Sequence, residues 1–179
     1  MITLRRRALA RPLCAGVEST FLPPLTYDDQ YIKSILGGVT TVAILGASPN
    51  YQRPSFYVME FMQARGYRCV PVNPKAASAG IDILGERAYA SLEEASAGAL
   101  GVGHCFHMVD VFRNSAAVGG IADEAIAHGA RVLWTQLGVR DDAAAARASK
   151  AGLQVIMDRC PKIELSRLYH VSGPNMTST

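Results

Sequence analysis

Short apolar runs alternate with segments of helical period along most of this chain. Five runs, TTVAILG, YRCVPVNP, VGHCFHMVDVF, RVLWTQLGV and LQVIMD, predict strands. They are apolar almost throughout, which is typical of parallel strands that are covered on both faces. The pattern therefore predicts an α/β fold: a doubly wound, mostly parallel sheet of about five strands with helices on both faces.

Helix signals lie between these runs. Thr26 or Asp28 can cap a first helix, and Pro54 and Pro161 occupy the first-turn position that proline favours. Further helices are predicted from YASLEEA, from RNSAAVGGIADEAIAHGA with a cap at Asn114 or Ser115, and from DDAAAARASKAG with a cap near Asp141. Residues 80–87 are predicted to be a loop.

The pattern predicts one domain, residues 25–170, between an N-terminal extension, residues 1–24, and a C-terminal tail, residues 171–179. The extension has no steady period, and we expect it to be flexible. No run approaches the roughly 20 apolar residues of a membrane span. Four cysteines without a C-x-x-C spacing favour reduced thiols. We expect a cytoplasmic protein, with a mitochondrial location as the alternative because the first residues are rich in Arg and free of acids.

Charge and metal-binding patterns narrow the ligand class. The net charge of +3 is too small to predict nucleic-acid binding, but it suits an anionic small ligand. His104 and Cys105 in HCFHM are expected on opposite faces of a strand, with His107 on the same face as Cys105. Two ligands without a second cluster predict no metal site.

The loop after the first strand is a candidate phosphate site, because ligands of doubly wound sheets bind at the carboxyl ends of the strands. Gly46 stands at the first glycine of a G-x-G-x-x-G fingerprint, but Ser48 and Tyr51 replace the other two. A pyrophosphate lying tightly on the backbone is therefore disfavoured. Ser48, the loop amides and the following helix N-terminus can still hold a phosphate. The alternative is a plain turn without a ligand.

The second strand ends in Asn73, Pro74 and Lys75. NAD-binding sites carry a carboxylate here, which binds the ribose hydroxyls. A cation instead favours a ligand with a phosphate on its ribose, and both coenzyme A (CoA) and NADP have one. The alternative is a solvated surface lysine.

The third strand ends in Asp110, Val111, Phe112 and Arg113. Arg113 can bind a phosphate with two parallel hydrogen bonds, or it can pair with Asp110. Val111 and Phe112 offer an apolar wall for a chain or a ring.

Six motifs stand in order on these successive loops: VAILGAS, RPS, VPVNPK, VDVFRNS, LWTQLGV and VIMDRCP. Over residues 27–168 they resemble the small stand-alone CoA-binding proteins, single-domain relatives of the N-terminal domain of the succinyl-CoA synthetase α subunit. The resemblance implies a Rossmann-like fold that binds CoA or an acyl-CoA. It implies that the phosphates meet Gly46, Ala47, Ser48 and Arg53, the adenosine Pro74 and Lys75, the pantetheine arm Val111 and Phe112, and the thiol end Gln136, Leu137 and Gly138. The predicted set is completed by Pro54, Ser55, Asn73, Asp110 and Arg113.

Catalytic patterns are not readable in the sequence. The ligase relatives transfer phosphate through a histidine, and no histidine here lies in a motif like their phosphohistidine loop. We therefore predict a non-catalytic carrier or sensor, with an NADP-dependent oxidoreductase or a nucleotide-independent interaction module as alternatives. Cys160 is the one candidate reactive thiol, because a helix N-terminus and Arg159 would lower its pKa. A mixed disulfide with CoA would then be accessible, the alternative being a small residue at a helix start.

Overall fold

A computed structural model describes residues 25–101 and 103–169, so the predicted extension 1–24 and tail 171–179 lie outside the described residues. One sheet holds five parallel strands, β1 Thr41–Leu45, β2 Arg68–Val72, β5 Met108–Val111, β6 Val132–Thr135 and β7 Gln154–Ile156. A small hairpin consists of β3 Asp82–Ile83 and β4 Glu86–Arg87. The helices are α1 Asp29–Gly38, α2 Pro54–Gln63, α3 Pro74–Ser78, α4 Leu92–Ala95, α5 Ser115–Ala127, α6 Asp142–Lys150 and α7 Pro161–Leu168; a π-helical turn, Ser96–Leu100, extends α4.

Both faces of the sheet are covered, as the apolar strands predict. Along β1, Val42 and Ile44 join a core with α1, α2 and α7 on one face, which we call the α2/α7 face. Ala43 and Leu45 point to the other face and join a second core with α4, α5 and α6. The predicted doubly wound α/β fold is confirmed.

The strand order is β2–β1–β5–β6–β7. The chain leaves β1 to build β2 on one side, and it builds β5, β6 and β7 on the other. The connections therefore diverge between β1 and β5, and this switch point is where doubly wound sheets open a crevice at their carboxyl edge.

Two local predictions are wrong. The third strand begins at Met108, so His104 and Cys105 precede it and do not alternate across it. Gly101 and Gly103, with φ of +93° and +85°, turn the chain just before them. Residues 80–87, predicted as a loop, contain the β3–β4 hairpin, whose two-residue strands are too short to show a hydrophobic period.

None of the helices in the described part of the chain is long and apolar enough to cross a membrane.

Candidate functional site

Gly46 ends β1 at the switch point and lies against the segment that follows β5. Its φ is +85°, and a Cβ atom built on it would lie 2.6 Å from the Phe112 carbonyl oxygen and 2.9 Å from Arg113 Cδ. The Gly46 amide also donates to the Val72 carbonyl at 2.9 Å. Glycine is therefore required for two reasons: the positive φ angle, and the close approach of Phe112, which follows β5.

Residues 48–53 form a tight loop between β1 and α2. Ser48 Oγ accepts a hydrogen bond from the Asn50 amide at 3.2 Å, and Asn50 Oδ1 accepts one from the Gln52 amide at 2.9 Å. The Arg53 amide donates back to the Asn50 carbonyl at 3.0 Å. These hydrogen bonds hold the loop that leads from the switch point to the start of α2.

A cavity of about 590 Å³ opens at the carboxyl edge on the α2/α7 face; we call it the main cavity. Ten predicted residues line it: Gly46, Ser48, Arg53, Pro54, Ser55, Phe112, Arg113, Gln136, Leu137 and Cys160. Five lining residues were missed: Tyr57, Val58, Val139, Lys162 and Ile163. Tyr57 and Val58 lie one helical turn after Pro54, and Lys162 and Ile163 follow Pro161. A rule that extends each proline-initiated helix by one turn would have found all four.

Helix caps distinguish the main cavity from the rest of the molecule. Of the seven α-helices in the described ranges, five have a side-chain oxygen that accepts from first-turn amides, supplied by Asp28, Asn73, Ser91, Asn114 and Asp141. The exceptions are α2 and α7, which follow Arg53 and Cys160 and have no side-chain cap bond. Both begin at the main cavity. Their positive dipole ends therefore face the main cavity, although the Lys162 and Ile163 amides interact with the Cys160 sulfur and the Phe56 amide donates to the Arg53 carbonyl at 3.0 Å.

The charge of the main cavity is positive. Arg53, Arg113 and Lys162 line it, and no Asp or Glu of residues 25–101 and 103–169 does. None of the three cations is within salt-bridge distance of an acidic side chain in the described part of the chain. The Asp110–Arg113 ion pair, predicted as the alternative to phosphate binding, is therefore wrong. Lys162 Nζ lies 4.9 Å from the Tyr57 ring centroid.

A second cavity, of about 190 Å³, lies across the switch point from the main cavity and shares Gly46 and Arg113 with it. Pro74 is the other predicted residue in its lining. The missed residues are Leu45, Val72, Ala90, Ser91, Leu92, Ala117, Ile121 and Glu124. Because the two cavities meet at Gly46, one elongated ligand can occupy both.

Asn73 and Ala47 support the site without lining either cavity. Asn73 Nδ2 donates to the Ala47 carbonyl at 2.7 Å, and Asn73 Oδ1 accepts from the Lys75 and Ala76 amides at 2.9 and 3.2 Å. Asn73 thus joins the β1 loop to α3. The exposed Lys75 lies beside this joint and is outside both linings.

The loop after β6 is held in place by Asp158, which follows β7, and by Thr135 at the end of β6. The Gly138 amide donates to Asp158 Oδ1 at 2.7 Å, and Thr135 Oγ1 donates to the Val139 carbonyl at 2.6 Å. Gly138, with φ of +74°, turns the chain but does not line the main cavity. Gln136 and the exposed Leu137 do line it.

Asp110 and Val111 do not line the site, contrary to prediction. Both lie inside β5 and are 0% exposed, Val111 towards α5 and Asp110 on the α2/α7 face. Asp110 Oδ1 accepts from Gln136 Nε2 at 2.6 Å, and Asp110 Oδ2 has no hydrogen-bond partner among the described residues. Burial raises the pKa of Asp110 to about 8, and the Gln136 hydrogen bond only partly offsets this effect.

Cys160 lines the main cavity but does not have the lowered pKa that its position predicts. Burial raises the pKa of the thiol above its usual range, against the opposite effect of the Ile163 and Lys162 amides. Its side chain is 7% exposed, so desolvation of the thiolate outweighs the helix terminus. The mixed disulfide with CoA stays a prediction.

No group of three His, Cys, Asp or Glu residues that could hold a metal ion exists in residues 25–101 and 103–169. His107 Nδ1 instead accepts the Thr40 amide at 3.1 Å, at the opposite edge of the sheet.

Comparisons with known proteins cover most of the chain. Residues 40–166 match a family model described as CoA binding domain. The uncharacterized protein YneT of Bacillus subtilis (strain 168) is 36% identical over 132 residues, which are 74% of this chain and 90% of YneT. The solved structure of cell-free ID.343 from Thermus thermophilus is 33% identical, with a TM-score of 0.70, and the match covers 80% of this chain and 100% of that one. A hypothetical protein from Pyrococcus horikoshii OT3 is 31% identical, with a TM-score of 0.69 and coverage of 79% and 92%.

Replacing Gly46 by Ala tests the close contact at the switch point. A Cβ would meet a backbone oxygen, which cannot move aside cheaply, so we expect a loss of about 3 kcal/mol or more in the free energy of unfolding. Gly85→Ala is the matched control, because its φ is +78° but no atom lies within 4 Å of a Cβ there. It should lose only about 1 kcal/mol, the penalty of the backbone conformation. Urea unfolding measures both losses, and equal losses would contradict the contact.

Asp110 should make the protein less stable as the pH rises. Its pKa is about 8 in the folded state and near 4 when unfolded, so the folded state binds the extra proton between these values. Stability attributable to this group is fully present below about pH 4 and is lost as the pH rises towards about 8. Relative to Asp110→Asn, the wild type should lose about 2–4 kcal/mol in the free energy of unfolding between about pH 5 and about pH 9. Denaturant unfolding of both proteins measures the difference, and parallel pH profiles would refute a buried, protonated carboxyl.

Proposed function

We propose, because the chain belongs to the CoA binding domain family, that it binds CoA or an acyl-CoA across the switch point of its sheet as a non-catalytic carrier or sensor. The family supports a CoA-type small molecule as its partner. The observation that carries the finer proposal is the pairing of α2 and α7 around one cavity. Among the described residues these two helices have no side-chain cap, and no acidic side chain lines the cavity. The predicted cytoplasmic location, with a mitochondrial alternative, stays a prediction.

The phosphates are assigned to the mouth shared by both cavities. Arg53 precedes α2, Arg113 flanks Gly46 on the other side, and both are exposed without an acidic partner among the described residues. Guanidinium groups and helix-terminal amides together bind phosphate oxygens through charge-assisted hydrogen bonds.

The pantetheine arm is assigned to the main cavity. Val58, Phe112, Leu137, Val139 and Ile163 give it apolar walls. Two of these, Leu137 and Ile163, are 56% and 50% exposed, although exposed large apolar side chains are costly in water. An apolar arm lying between them would bury both.

The adenosine end is assigned to the second cavity, beside Pro74 and close in sequence to Lys75. Lys75 is an exposed cation at the start of α3 and has no acidic partner in the part of the chain that the structure describes. It is the group we assign to the ribose phosphate.

The polar side chains in the main cavity support binding rather than proton transfer. They are hydroxyl, guanidinium, ammonium, amide, phenol and thiol groups. Of these, the thiol of Cys160 would be the first to act as a base or nucleophile, and its raised pKa keeps it protonated at neutral pH.

Calorimetric titration with CoA, acetyl-CoA, NADP and NAD tests the proposal. We expect at least one CoA form to bind and the two dinucleotides not to bind. Arg53→Ala should weaken CoA binding about tenfold, the loss of one charge-assisted contact. Arg131→Ala, an exposed arginine at the amino end of β6, is the matched control and should leave the affinity unchanged. Binding of NADP alone would favour the oxidoreductase, and no binding of any nucleotide would favour the interaction module.

Lys75→Ala tests the assignment of the ribose phosphate. It should weaken CoA about three- to tenfold and leave dephospho-CoA, which lacks that phosphate, nearly unchanged. Lys150→Ala, at the exposed end of α6, is the control and should change neither affinity. Equal losses for both ligands would refute the role of Lys75.

A further inference from the structure

The pair of Asp110 and Gln136 joins the core of the sheet to the floor of the main cavity. Asp110 stands opposite Ile44 on β1 and Trp134 on β6, and Gln136 lies two residues after Trp134, so its side chain points to the same face. Asp110 is 0% exposed and Gln136 8%. The contact is short, with Gln136 Nε2 donating to Asp110 Oδ1 at 2.6 Å.

The surroundings of Asp110 compensate for its burial only in part, because the Gln136 hydrogen bond and the Val111 amide lower its pKa by less than burial raises it. The titratable groups that interact with it electrostatically are the thiols of Cys69 on β2 and Cys160 at the start of α7, and burial raises the pKa of both. No Lys, Arg or His within the described ranges is at salt-bridge distance. A carboxyl group with one unpaired oxygen costs stability at a site where an apolar residue of similar size would fit.

The Gln136 NH₂ group donates to Asp110 Oδ1, so this hydrogen bond directs the amide oxygen of Gln136 away from Asp110. With a pKa of about 8 the carboxyl is protonated at neutral pH, and because Oδ1 accepts, the proton is on Oδ2. Asp110 Oδ2 is the one buried side-chain oxygen or nitrogen without a partner in the described residues. Gln136 Oε1 accepts no hydrogen bond from those residues either, so it must be accessible from the cavity that Gln136 lines. The floor of the main cavity therefore presents a hydrogen-bond acceptor.

We propose that the pantetheine arm ends at Gln136 on the floor of the main cavity, and that Asp110 holds Gln136 so that its amide oxygen selects the free thiol of CoA over its thioesters. This inference rests on the proposed function and names the form of the ligand. A thiol can donate its S–H to an amide oxygen. A thioester has lost that hydrogen and brings a carbonyl oxygen, a second acceptor, towards the first. Such a pair of buried acceptors has no proton to share and is unfavourable.

The test compares three ligands by calorimetry: CoA, acetyl-CoA and S-ethyl-CoA. The ethyl thioether has nearly the shape of the acetyl group but no carbonyl oxygen, so it separates steric exclusion from acceptor repulsion. In the wild type we expect CoA to bind most tightly, with acetyl-CoA weaker about tenfold and S-ethyl-CoA between them.

Asp110→Leu removes the group that orients Gln136. The amide can then turn its NH₂ group towards a carbonyl, so acetyl-CoA should bind at least as tightly as S-ethyl-CoA, and the preference for CoA should fall to about threefold or less. The melting temperature should rise, because a buried unpaired polar group is lost. A purely structural Asp110 would instead lower it. Asp110→Asn keeps the size of the side chain and the oxygen that accepts from Gln136, so it should keep the preference. Gln136→Met removes the amide oxygen itself and serves if the Leu variant does not fold; it should reduce the preference.

Met108→Leu is the matched control, a volume-conserving change on the same face of β5 that does not touch the cavity. It should keep the order of affinities found in the wild type. Equal affinities for the three ligands in the wild type would overturn this inference while CoA binding itself stands. An unchanged order in Asp110→Leu, or in Gln136→Met if the Leu variant does not fold, would overturn it as well. Absence of binding by all three would overturn the proposed function as well.

Discussion

The site depends on the close approach of two chain segments at the switch point of the sheet. Gly46 lies so near the Phe112 carbonyl that any side chain would collide with it. The connections after β1 and β5 run in opposite directions, so the crevice between them exists in every sheet of this order. The missing Cβ is what brings Arg113 to the edge of both cavities at once. An elongated, anionic ligand fits such a continuous groove better than a compact one.

Hydrogen bonding at the helix starts separates five helices with side-chain caps from two helices without them. Five helices bind their own first-turn amides with side-chain oxygens, which stabilises each by about 1 kcal/mol. The helices α2 and α7 lack this stabilisation and converge on the main cavity. An external anion beside these helix starts would be stabilised by two dipoles and by the neighbouring arginines. The fold thus directs the two helix starts without side-chain caps to the place of the proposed phosphates.

Asp110 illustrates a conflict between stability and binding. An acid in the middle of a parallel sheet, with one oxygen that has no partner among the described residues, is unfavourable for folding, and burial raises its pKa so that it stays protonated at neutral pH. Its hydrogen-bond partner Gln136 lines the main cavity. Residues that break a local rule of folding are most often found where function constrains them. A preference for one acylation state would suit a carrier or sensor that reports how much of its ligand is free.

The sequence alone determined the fold class and most of the loops around the site. Hydrophobic runs, caps such as Asp141, and prolines such as Pro54 act over a few residues, so local patterns suffice to place them. Only the tertiary structure decided which side chains of those loops face the cavities. Strand alternation and burial directed Val111 and Asp110 into the core, although they adjoin Phe112, which lines the main cavity. The crossing of α7 over the sheet brought residues more than one hundred positions apart in sequence into one cavity, and only the packing of the complete chain specifies such a contact.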